Sequence, residues 1–513
     1  MMGIKERQFA PLGQLSLEDL VPPDHFYRRL DHTLDLSFVR ELVAPCYAVG
    51  GRRSIDPVVF FRLQLVLFFE GLRSERQLMR TLADRLAARW YVAYDLDEPL
   101  PDHSSLTKIR QRYGLEVFRR FFDAIVAQCQ AAGLIWGREL YIDATKVVAD
   151  ASVDSITPRF AVAARAHVDD LFAQDADAGG PTPPLLLEAD VDEVDEAPTC
   201  IGPSDEEAPG LAAANATRHD WFVAAGQQDR SQICSRYQRT ADLAVSTTDP
   251  DATHLRQRDG VRLGYQDHYV VDGGKERIIL AVLVAPAEVP EDHPALDLLW
   301  HARFRWQLWP RQATGDKAYG TLDVIRTLED QHIGAYIPLP EWGRRTPVFA
   351  KGEFTYDSAA DTYTCPGGAA LPFDRLNKTQ RLVVYRADPS TCNACPLKAQ
   401  CTASSQGRTV VRSYDEEYLD RVRAYHQTEA YKKALRKRGV WVEPLFAEAK
   451  DWHGLRRFRL RRLWRVNIEA LVTAGGQNLK RLLSKRGWGR RPFPSGAPGL
   501  RLDTHTHLAT LPS

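Results

Sequence analysis

The sequence predicts a mixed α/β protein in which a helical N-terminal region precedes a sheet-containing core. From about residue 20 to residue 132, apolar residues recur with a spacing near 3.6, which is typical of helices. Residues 262–339 alternate between β-rich and helical runs, and this order favours a mixed sheet with helices on its faces. Residues 351–413 break the alternation and contain four of the eight cysteines, so we expect an insertion there.

The length and composition indicate several structural units of a globular protein. A chain of 513 residues exceeds what one hydrophobic core usually serves. Its 44% hydrophobic and 26% charged residues are ordinary values for a soluble protein. The sequence has no apolar run long enough to span a membrane, and "MMGIKERQFAPLGQ" lacks the apolar stretch of a signal peptide. We therefore predict a cytoplasmic protein.

The charges are segregated although the formal net charge is zero. Residues 169–207 contain thirteen acids and no Lys or Arg, whereas residues 431–490 contain seventeen bases and four acids. This separation predicts an anionic partner at the C-terminal end and a solvated acidic segment in the middle of the chain.

Capping residues mark the starts of helices in the N-terminal region. In "DPVVFFRLQLVLFFEGL", Asp56 is placed to cap a helix that begins at Pro57. Ser74 is placed to cap the next helix. Further on, "PDHSSLTKIRQRYG" offers a polar cap cluster around Ser104 and Ser105, and then a basic helix.

This basic helix leaves two interpretations of the N-terminal region open. The region is either a plain helical bundle or a DNA-binding domain that uses Lys108, Arg110 and Arg112.

The core elements are predicted from local patterns. "ELYIDATKVV", Glu139–Val148, is a strand candidate, and "DGGK" between two β-rich runs of residues 262–289 indicates a hairpin. A helix near residues 294–303, a strand at "RQATGD", a helix at "TLDVIRTLEDQH" and a strand at "IGAYIPL" follow. A long helical region covers residues 415–486, whereas residues 154–218 show no sustained period and predict a flexible insertion.

Three acids on different predicted elements are candidates for a metal site. Asp143 and Asp316 each end a short apolar run, and Glu443 lies on a helix among strong bases. Carboxylates that converge in this way suit Mg²⁺, and two such ions support phosphodiester chemistry. Spacing alone does not distinguish this triple from others in a chain with 67 acids.

Four cysteines form a second candidate site. Cys365, Cys392, Cys395 and Cys401 include one C-x₂-C pair, which in a cytoplasmic chain favours a metal site over disulfides. Structural Zn²⁺ held by four thiolates is one interpretation, and reduced cysteines in an irregular β-rich insertion are the other. We interpret the remaining cysteines as ordinary buried or linker thiols: Cys46, Cys129, Cys200 and Cys234.

The basic C-terminal helices and a single histidine offer weaker signals. The excess of bases favours phosphate contact over a solvated face, and buried packing is the expected role of Trp441, Trp452 and Trp464. His268, in the predicted hairpin, is either a phosphate contact or a structural residue. The sequence contains no P-loop, nucleophile elbow or HExxH motif, which argues against ATP use, serine hydrolysis and zinc proteolysis.

Four stretches of the sequence resemble bacterial insertion-sequence DDE transposases. Residues 52–114 resemble their N-terminal helical domain, "YIDATKVVADAS" resembles the segment of their first Asp, residues 248–272 with "ATGDKAYG" resemble the region up to their second Asp, and residues 442–483 resemble the helices around their Glu. The chain is most similar to the IS1182-type branch of the IS4/IS5-like group, which carries a similar four-cysteine insertion before its Glu. The resemblance implies a ribonuclease-H-like core with a mixed five-stranded sheet, two Mg²⁺ or Mn²⁺ ions, and movement of double-stranded DNA.

The catalytic acids carry over from this resemblance. Asp143 and Asp316 match the first two acids of the family. For the third, the family shows a Lys seven positions after its Glu, and Glu443 with Lys450 keeps this spacing. We therefore predict Glu443, with Glu448 as the reserve.

The family also shows a Tyr and an Arg before the Glu, and here the sequence departs from the pattern. Position 439, where the Arg is expected, is Gly, so that Arg438 or Arg436 replaces it, and Tyr431 is the nearest Tyr. The residues predicted to contact DNA are Lys450, Arg438, Lys317, Lys146, Arg456, Arg457, Lys108 and Arg110.

The resemblance implies a transposase that cleaves DNA at transposon ends and transfers strands into target DNA, as a nucleoid-associated homodimer. Two alternatives remain: an inactive or domesticated DNA-binding protein, and a metal-dependent nuclease without strand transfer. The predicted units are residues 1–132 (helical and DNA-binding), 133–345 with 415–486 (catalytic), 154–218 (acidic, flexible insertion), 346–414 (four-cysteine β-rich insertion) and 487–513 (flexible tail).

Overall fold

A computed structural model describes residues 16–48, 54–158, 244–258, 260–340 and 348–488. Most of the predicted acidic insertion and nearly all of the predicted tail lie outside these residues, as do Cys200 and Cys234. Within the described residues, no helix is both long enough and apolar enough to cross a membrane.

Among the described residues, the N-terminal region contains seven α-helices. They are α1 (Leu17–Leu20), α2 (Phe26–Thr33), α3 (Phe38–Val43), α4 (Pro57–Phe69), α5 (Glu75–Asp84), α6 (Leu86–Tyr91) and α7 (His103–Ala131). The predicted caps of α4 and α5 are confirmed, because Asp56 accepts the N–H of Val58 and Ser74 accepts the N–H of Gln77. The predicted cap of α7 was wrong. Asp102 accepts the N–H of Ser104, since the helix begins one residue before the serine pair.

A six-stranded mixed sheet forms the centre of the molecule. Its strands are β1 (Glu139–Val148), β4 (Thr253–Gln257), β5 (Gly260–Asp272), β6 (Ile279–Pro286), β7 (Gln312–Thr314) and β8 (Gly334–Tyr336), and β2 (Ile156–Pro158) pairs with β3 (Ala244–Ser246) beside it. β6 and β4 share one side of β5, and β1, β7 and β8 follow on the other side. β5 is antiparallel to β1, whereas β7 and β8 run parallel to β1.

The predicted mixed five-stranded sheet is therefore confirmed, with β4 as an additional strand at its edge. Outside the cysteine-containing segment, which holds α10 and α11, the helices that follow in the chain are α8 (Ala295–Arg305), α9 (Leu322–Asp330), α12 (Glu416–His426), α13 (Glu429–Trp441), α14 (Glu443–Trp452) and α15 (Leu463–Lys485).

One large hydrophobic cluster joins the N-terminal helices to the sheet and to α15. Gly475 and Gly476 allow α15 to approach its neighbours closely. A Cβ atom at Gly476 would lie 2.4 Å from the ring of Phe68 in α4, and one at Gly475 would lie 3.1 Å from Ile125 in α7. The C-terminal helix is thus packed against both the helical region and the sheet.

The cysteine-containing segment folds as small strands around a core of its own. Its elements are β9 (Thr355–Asp357), β10 (Thr362–Thr364), β11 (Ala370–Leu371), β12 (Phe373–Asn377), β13 (Leu382–Arg386), α10 (Pro389–Asn393), α11 (Lys398–Cys401) and β14 (Thr409–Ser413). Its buried residues form a cluster separate from that of the sheet.

Candidate active site

The sheet topology places two of the predicted acids on two adjacent parallel strands, one within β1 and one just after β7. Asp143 lies in the middle of β1, and Asp316 comes two residues after β7, which is parallel to β1. Gly315 lets the chain just before Asp316 lie close to β1, because a Cβ atom there would lie 2.9 Å from the ring of Tyr319 and 3.2 Å from Ile142.

Asp143 is a buried carboxylate. Only 7% of the residue is exposed, and its Oδ1 accepts the N–H of Ala144 at 2.9 Å. Burial raises the pKa of Asp143 to about 6, Arg438 opposes the rise, and the Asp316 and Glu443 carboxylates add to it. Two like charges therefore act on Asp143, which is the electrostatic situation that a bound cation relieves.

Arg438 connects two of the three acids. Its Nη1 donates to Asp143 Oδ2, and its Nη2 lies 3.6 Å from Glu443 Oε1. Glu443 is the first residue of α14, and 62% of its side chain is exposed. The guanidinium thus supplies positive charge between these carboxylates.

Helix α14 lies over the sheet face that carries Asp143. Tyr269 pairs with Asp143 across β5 and β1, and its ring stacks on Phe446 with centroids 4.5 Å apart. One turn on, the Lys450 ammonium donates to Thr145 Oγ1 at 2.5 Å. Asp143 and Thr145 face the same side of the strand, so Glu443 and Lys450 approach one stretch of β1 from the two ends of the helix.

The four cysteines of the insertion line one cavity of about 230 Å³. The described cysteines are all free thiols, and the Cys365 Sγ accepts the N–H of Ala369 at 3.3 Å. Throughout the described part of the chain, no three His, Cys, Asp or Glu side chains are arranged so that they could hold a metal ion.

Two segments of the chain match known families. Residues 15–112 match the transposase domain family DUF772, and residues 364–483 match the transposase DDE domain family. Together these matches cover less than half of the chain, and they support an insertion-sequence DDE transposase. No curated protein and no solved structure matches it. The DDE domain supports a DNA-processing enzyme, and transposase domains imply DNA binding. The DDE match contains Glu443, Glu448 and Lys450, whereas Asp143 and Asp316 lie outside both matches.

Glu448 of the transposase is engaged away from Asp143. Its carboxylate lies 2.5 Å from Lys480 Nζ and 3.3 Å from Arg481 Nη2, both on α15. Burial raises the pKa of Glu448, but the nearby His453, Arg481 and Lys480 side chains outweigh it and hold the pKa well below its usual range. Glu448 therefore joins α14 to α15.

One predicted DNA contact is excluded by burial. Arg110 is only 2% exposed and pairs with Glu75 of α5, so its guanidinium cannot reach a phosphate. Lys108, two residues earlier on α7, is exposed, as are Lys146 and Lys317 near the acids.

Arg456 and Arg457 follow α14 and are also exposed. Arg456 pairs with Asp451 at 2.5 Å, and Arg457 pairs with Asp150 at 2.7 Å. Both guanidiniums thus remain on the surface but carry acidic neighbours.

The aromatic and histidine interpretations have mixed outcomes. His268 is fully buried and burial lowers its pKa to about 4, which excludes a phosphate contact. Trp452 is 74% exposed, so that its predicted burial was wrong. Tyr431 is buried and contacts the rings of Tyr336 and His426.

One acid near the site was missed by the sequence reasoning. Glu291 lies in the segment after β6, and β6 runs in the same direction as β1 because both are antiparallel to β5. Burial raises the pKa of Glu291 to about 7, and Asp316 and Asp143 contribute to the rise. Its only sequence signal was its place just after a predicted hairpin strand.

Proposed function

We propose that this transposase cleaves DNA strands at the ends of its insertion sequence and joins the freed 3′-hydroxyl to target DNA, with Asp143, Asp316 and Glu443 as the catalytic acids. The observation that carries the proposal is the buried Asp143 carboxylate, which shares Arg438 with Glu443 and is influenced by Asp316.

The donor set suits divalent metal, since Mg²⁺ and Mn²⁺ prefer carboxylate oxygens. Asp143, Asp316 and Glu443 would hold two such ions, which activate the attacking oxygen and stabilise the leaving oxygen when bound. The Arg438 guanidinium lies between Asp143 and Glu443 and offsets part of the negative charge of these carboxylates.

The remaining residues bind and orient DNA. Lys450, fixed by its hydrogen bond to Thr145, would contact a phosphate beside the scissile bond, and the exposed Lys146 and Lys317 would contact neighbouring phosphates. Strand transfer requires two transposon ends to be held together, and a homodimer on DNA would supply this arrangement.

Nicking of a supercoiled plasmid tests the catalytic acids. The plasmid would carry the coding region with its native flanking DNA, and Mg²⁺ would be present. We expect Asp143→Asn to lose at least about 100-fold in nicking rate while its DNA affinity stays near that of the wild type. Asp297→Asn is the matched control, because Asp297 is exposed on α8, a helix that contributes none of the proposed catalytic acids.

Full nicking by Asp143→Asn would overturn the assignment. A separate assay that joins a labelled 3′-hydroxyl end to a second plasmid tests strand transfer. Nicking without joining would identify a nuclease, and DNA binding without nicking by the wild type would identify a non-catalytic DNA-binding protein.

We also propose that the four cysteines hold structural zinc. Thiolate sulfur is a preferred ligand of Zn²⁺. The four thiols line a single cavity, and metal binding would draw them together from their present positions.

A further inference from the structure

A basic cleft of about 890 Å³ lies beside helix α13, at the N-terminal end of β1. Its walls come from α13, from the segment before β1 and from the β5–β6 hairpin. Glu139, the first residue of β1, lines it. The cleft is thus separate from the carboxylates but shares both β1 and α13 with them.

The floor of the cleft is fixed by Lys437 and Trp441 of α13. The Lys437 ammonium donates to Glu139 Oε2 at 2.5 Å and to the Gly273 carbonyl at 2.6 Å. The Trp441 indole donates to the Gly274 carbonyl at 2.8 Å. These bonds hold α13 against the hairpin, and the Lys437–Glu139 pair neutralises two of the charges that line the cleft.

The remaining charges of the cleft are mostly positive. Four of its cations form no ion pair with any described residue, and all four are exposed: Lys275, Lys433, Arg436 and Lys485. Glu276 is the one lining acid without a cationic partner among the described residues. The net charge is therefore about +3 from these side chains, which favours an anionic ligand.

Exposed apolar side chains lie among these cations. Trp136 is 50% exposed and Val440 is 58% exposed, and both line the cleft. Exposed aromatic and apolar surface between unpaired cations is a feature of protein surfaces that bind nucleic acids. On such surfaces, sugars and bases contact the aromatic rings while phosphates contact the cations.

The spacing of the cations suits a phosphodiester backbone. Lys433 and Arg436 are three residues apart on one helical face, which places their Cβ atoms about 5–6 Å apart. Successive phosphates of one strand advance by about 3.4 Å along B-form DNA, so two long side chains at this spacing can contact neighbouring phosphates.

We propose that this cleft binds the phosphodiester backbone of a DNA strand that continues from the catalytic acids. Arg438 directly follows Lys437 on α13 and reaches Asp143, while β1 runs from Glu139 at the cleft to Asp143. Four residues of strand span about 13 Å, which corresponds to about four nucleotide steps of B-form DNA. The role of this strand rests on the proposed function, since it presumes cleavage at Asp143.

Fluorescence anisotropy with a labelled 30-base-pair duplex of arbitrary sequence tests the cleft in the full-length protein. The variants are Lys433→Gln, Arg436→Gln and the double variant. The control is Lys378→Gln, which removes one exposed cation from a turn of the cysteine insertion. Far-UV circular dichroism checks that each variant is folded.

Each lost phosphate contact lowers the slope of log affinity against log salt by about 0.9, so the double variant should lose about 2 from the slope. Its affinity near 0.1 M salt should fall by about 10-fold or more, and each single variant should show part of this loss. A double variant with the slope and affinity of the wild type would overturn the proposal. So would an equal loss in Lys378→Gln and Lys433→Gln, because it would reveal a general charge effect.

Asp143→Asn separates this proposal from the proposed function. We expect it to bind the duplex like the wild type while nicking is lost. If Asp143→Asn nicks normally but the double variant binds weakly, the catalytic assignment fails and the cleft still binds DNA. If the double variant binds normally while Asp143→Asn is inactive, the cleft proposal alone fails.

Discussion

At the scale of single residues, Arg438 determines how the acids of the site coexist. A buried carboxylate is costly without a cation nearby, and Asp143 has the Arg438 guanidinium as its partner. The same guanidinium lies 3.6 Å from Glu443, so one side chain serves two acids. The Gly at position 439 matters less than its neighbour, because the neighbouring Arg reaches the site.

Changing Glu443 to Gln is expected to affect activity, whereas changing Glu448 to Gln is expected to affect stability. Glu443 is mostly exposed, so Glu443→Gln should abolish nicking and leave the melting temperature unchanged. Glu448→Gln leaves Lys480 and Arg481 without their shared carboxylate and should cost about 1–3 kcal/mol in the free energy of unfolding. Nicking assays and urea unfolding measure the two effects.

The stability difference for Glu448 should also depend on pH. A carboxyl whose pKa is lowered in the folded state contributes stability above its unfolded pKa, about 4.3, and loses that contribution as the pH falls further. The gap between wild type and Glu448→Gln should therefore be full at pH 7 and shrink below about pH 4. An inactive, normally stable Glu448→Gln would instead make Glu448 the third acid.

The predictability of individual residues followed the range of the interaction that decides their role. Asp56 and Ser74 were predictable as caps because the groups they bond lie two or three residues away. Arg110 was not, since its burial depends on Glu75, which lies on another helix. Glu291 was missed because its neighbours Asp143 and Asp316 reach it only through the order of the strands.

At the scale of elements, the sheet ends at β6, and the outer edge of this strand is covered by α15. Asn478 accepts the N–H of Ile279 at 2.9 Å and donates to its carbonyl at 2.8 Å. Asn467 makes the same pair of bonds with Val284, at 2.8 and 3.0 Å. The two asparagines thus replace part of a neighbouring strand, which would otherwise be needed to satisfy these groups.

A β-bulge places both backbone pairs on the same edge. Residues an odd number apart in a regular strand direct their N–H groups to opposite edges, and Ile279 and Val284 are five apart. The register with β5 shifts between Val270 and Val271, which leaves one extra residue in β6. The hairpin itself was predictable from its turn, but this bulge and its asparagine partners depend on contacts nearly 200 residues away.

Asn478→Ala should therefore destabilise the protein strongly. It leaves one buried N–H and one buried carbonyl unpaired, each of which costs about 1–3 kcal/mol. Urea unfolding measures the loss, and Ser484→Ala, an exposed change on the same helix, should shift stability by less than about 0.5 kcal/mol. Equal stability of the two variants would show that the asparagine does not support the strand edge.

At the scale of the whole molecule, the buried residues divide the chain differently from its sequence patterns. The N-terminal helices looked like an independent unit, yet their apolar residues share one cluster with the sheet and α15. The reason is long-range, since Gly476 lets α15 contact Phe68 of α4, a pairing that no local pattern encodes. The cysteine insertion, by contrast, keeps a core of its own.

This small core gives the zinc proposal a physical basis. Its buried cluster holds few residues and includes Cys392 and Cys401. A core of that size supplies little stability, and small folds commonly depend on a metal or a disulfide. The described cysteines form no disulfide, and the proposed zinc would supply the other kind of cross-link. Metal binding and folding are coupled in such sites, so we expect the sulfur atoms to reach ligand distances only when the metal is bound.

We therefore expect the purified protein to contain about one zinc ion per chain, as a four-thiolate site requires. Elemental analysis should show that Cys395→Ser loses the zinc and that Cys46→Ser, a change in the N-terminal region, keeps it. Removing the metal with a chelator should lower the melting temperature of the cysteine insertion. The sheet and its helices should unfold at the same temperature as before, because the two cores are separate. Equal zinc content in both variants would refute the site, and joint melting of the whole chain would show that the insertion depends on the main core.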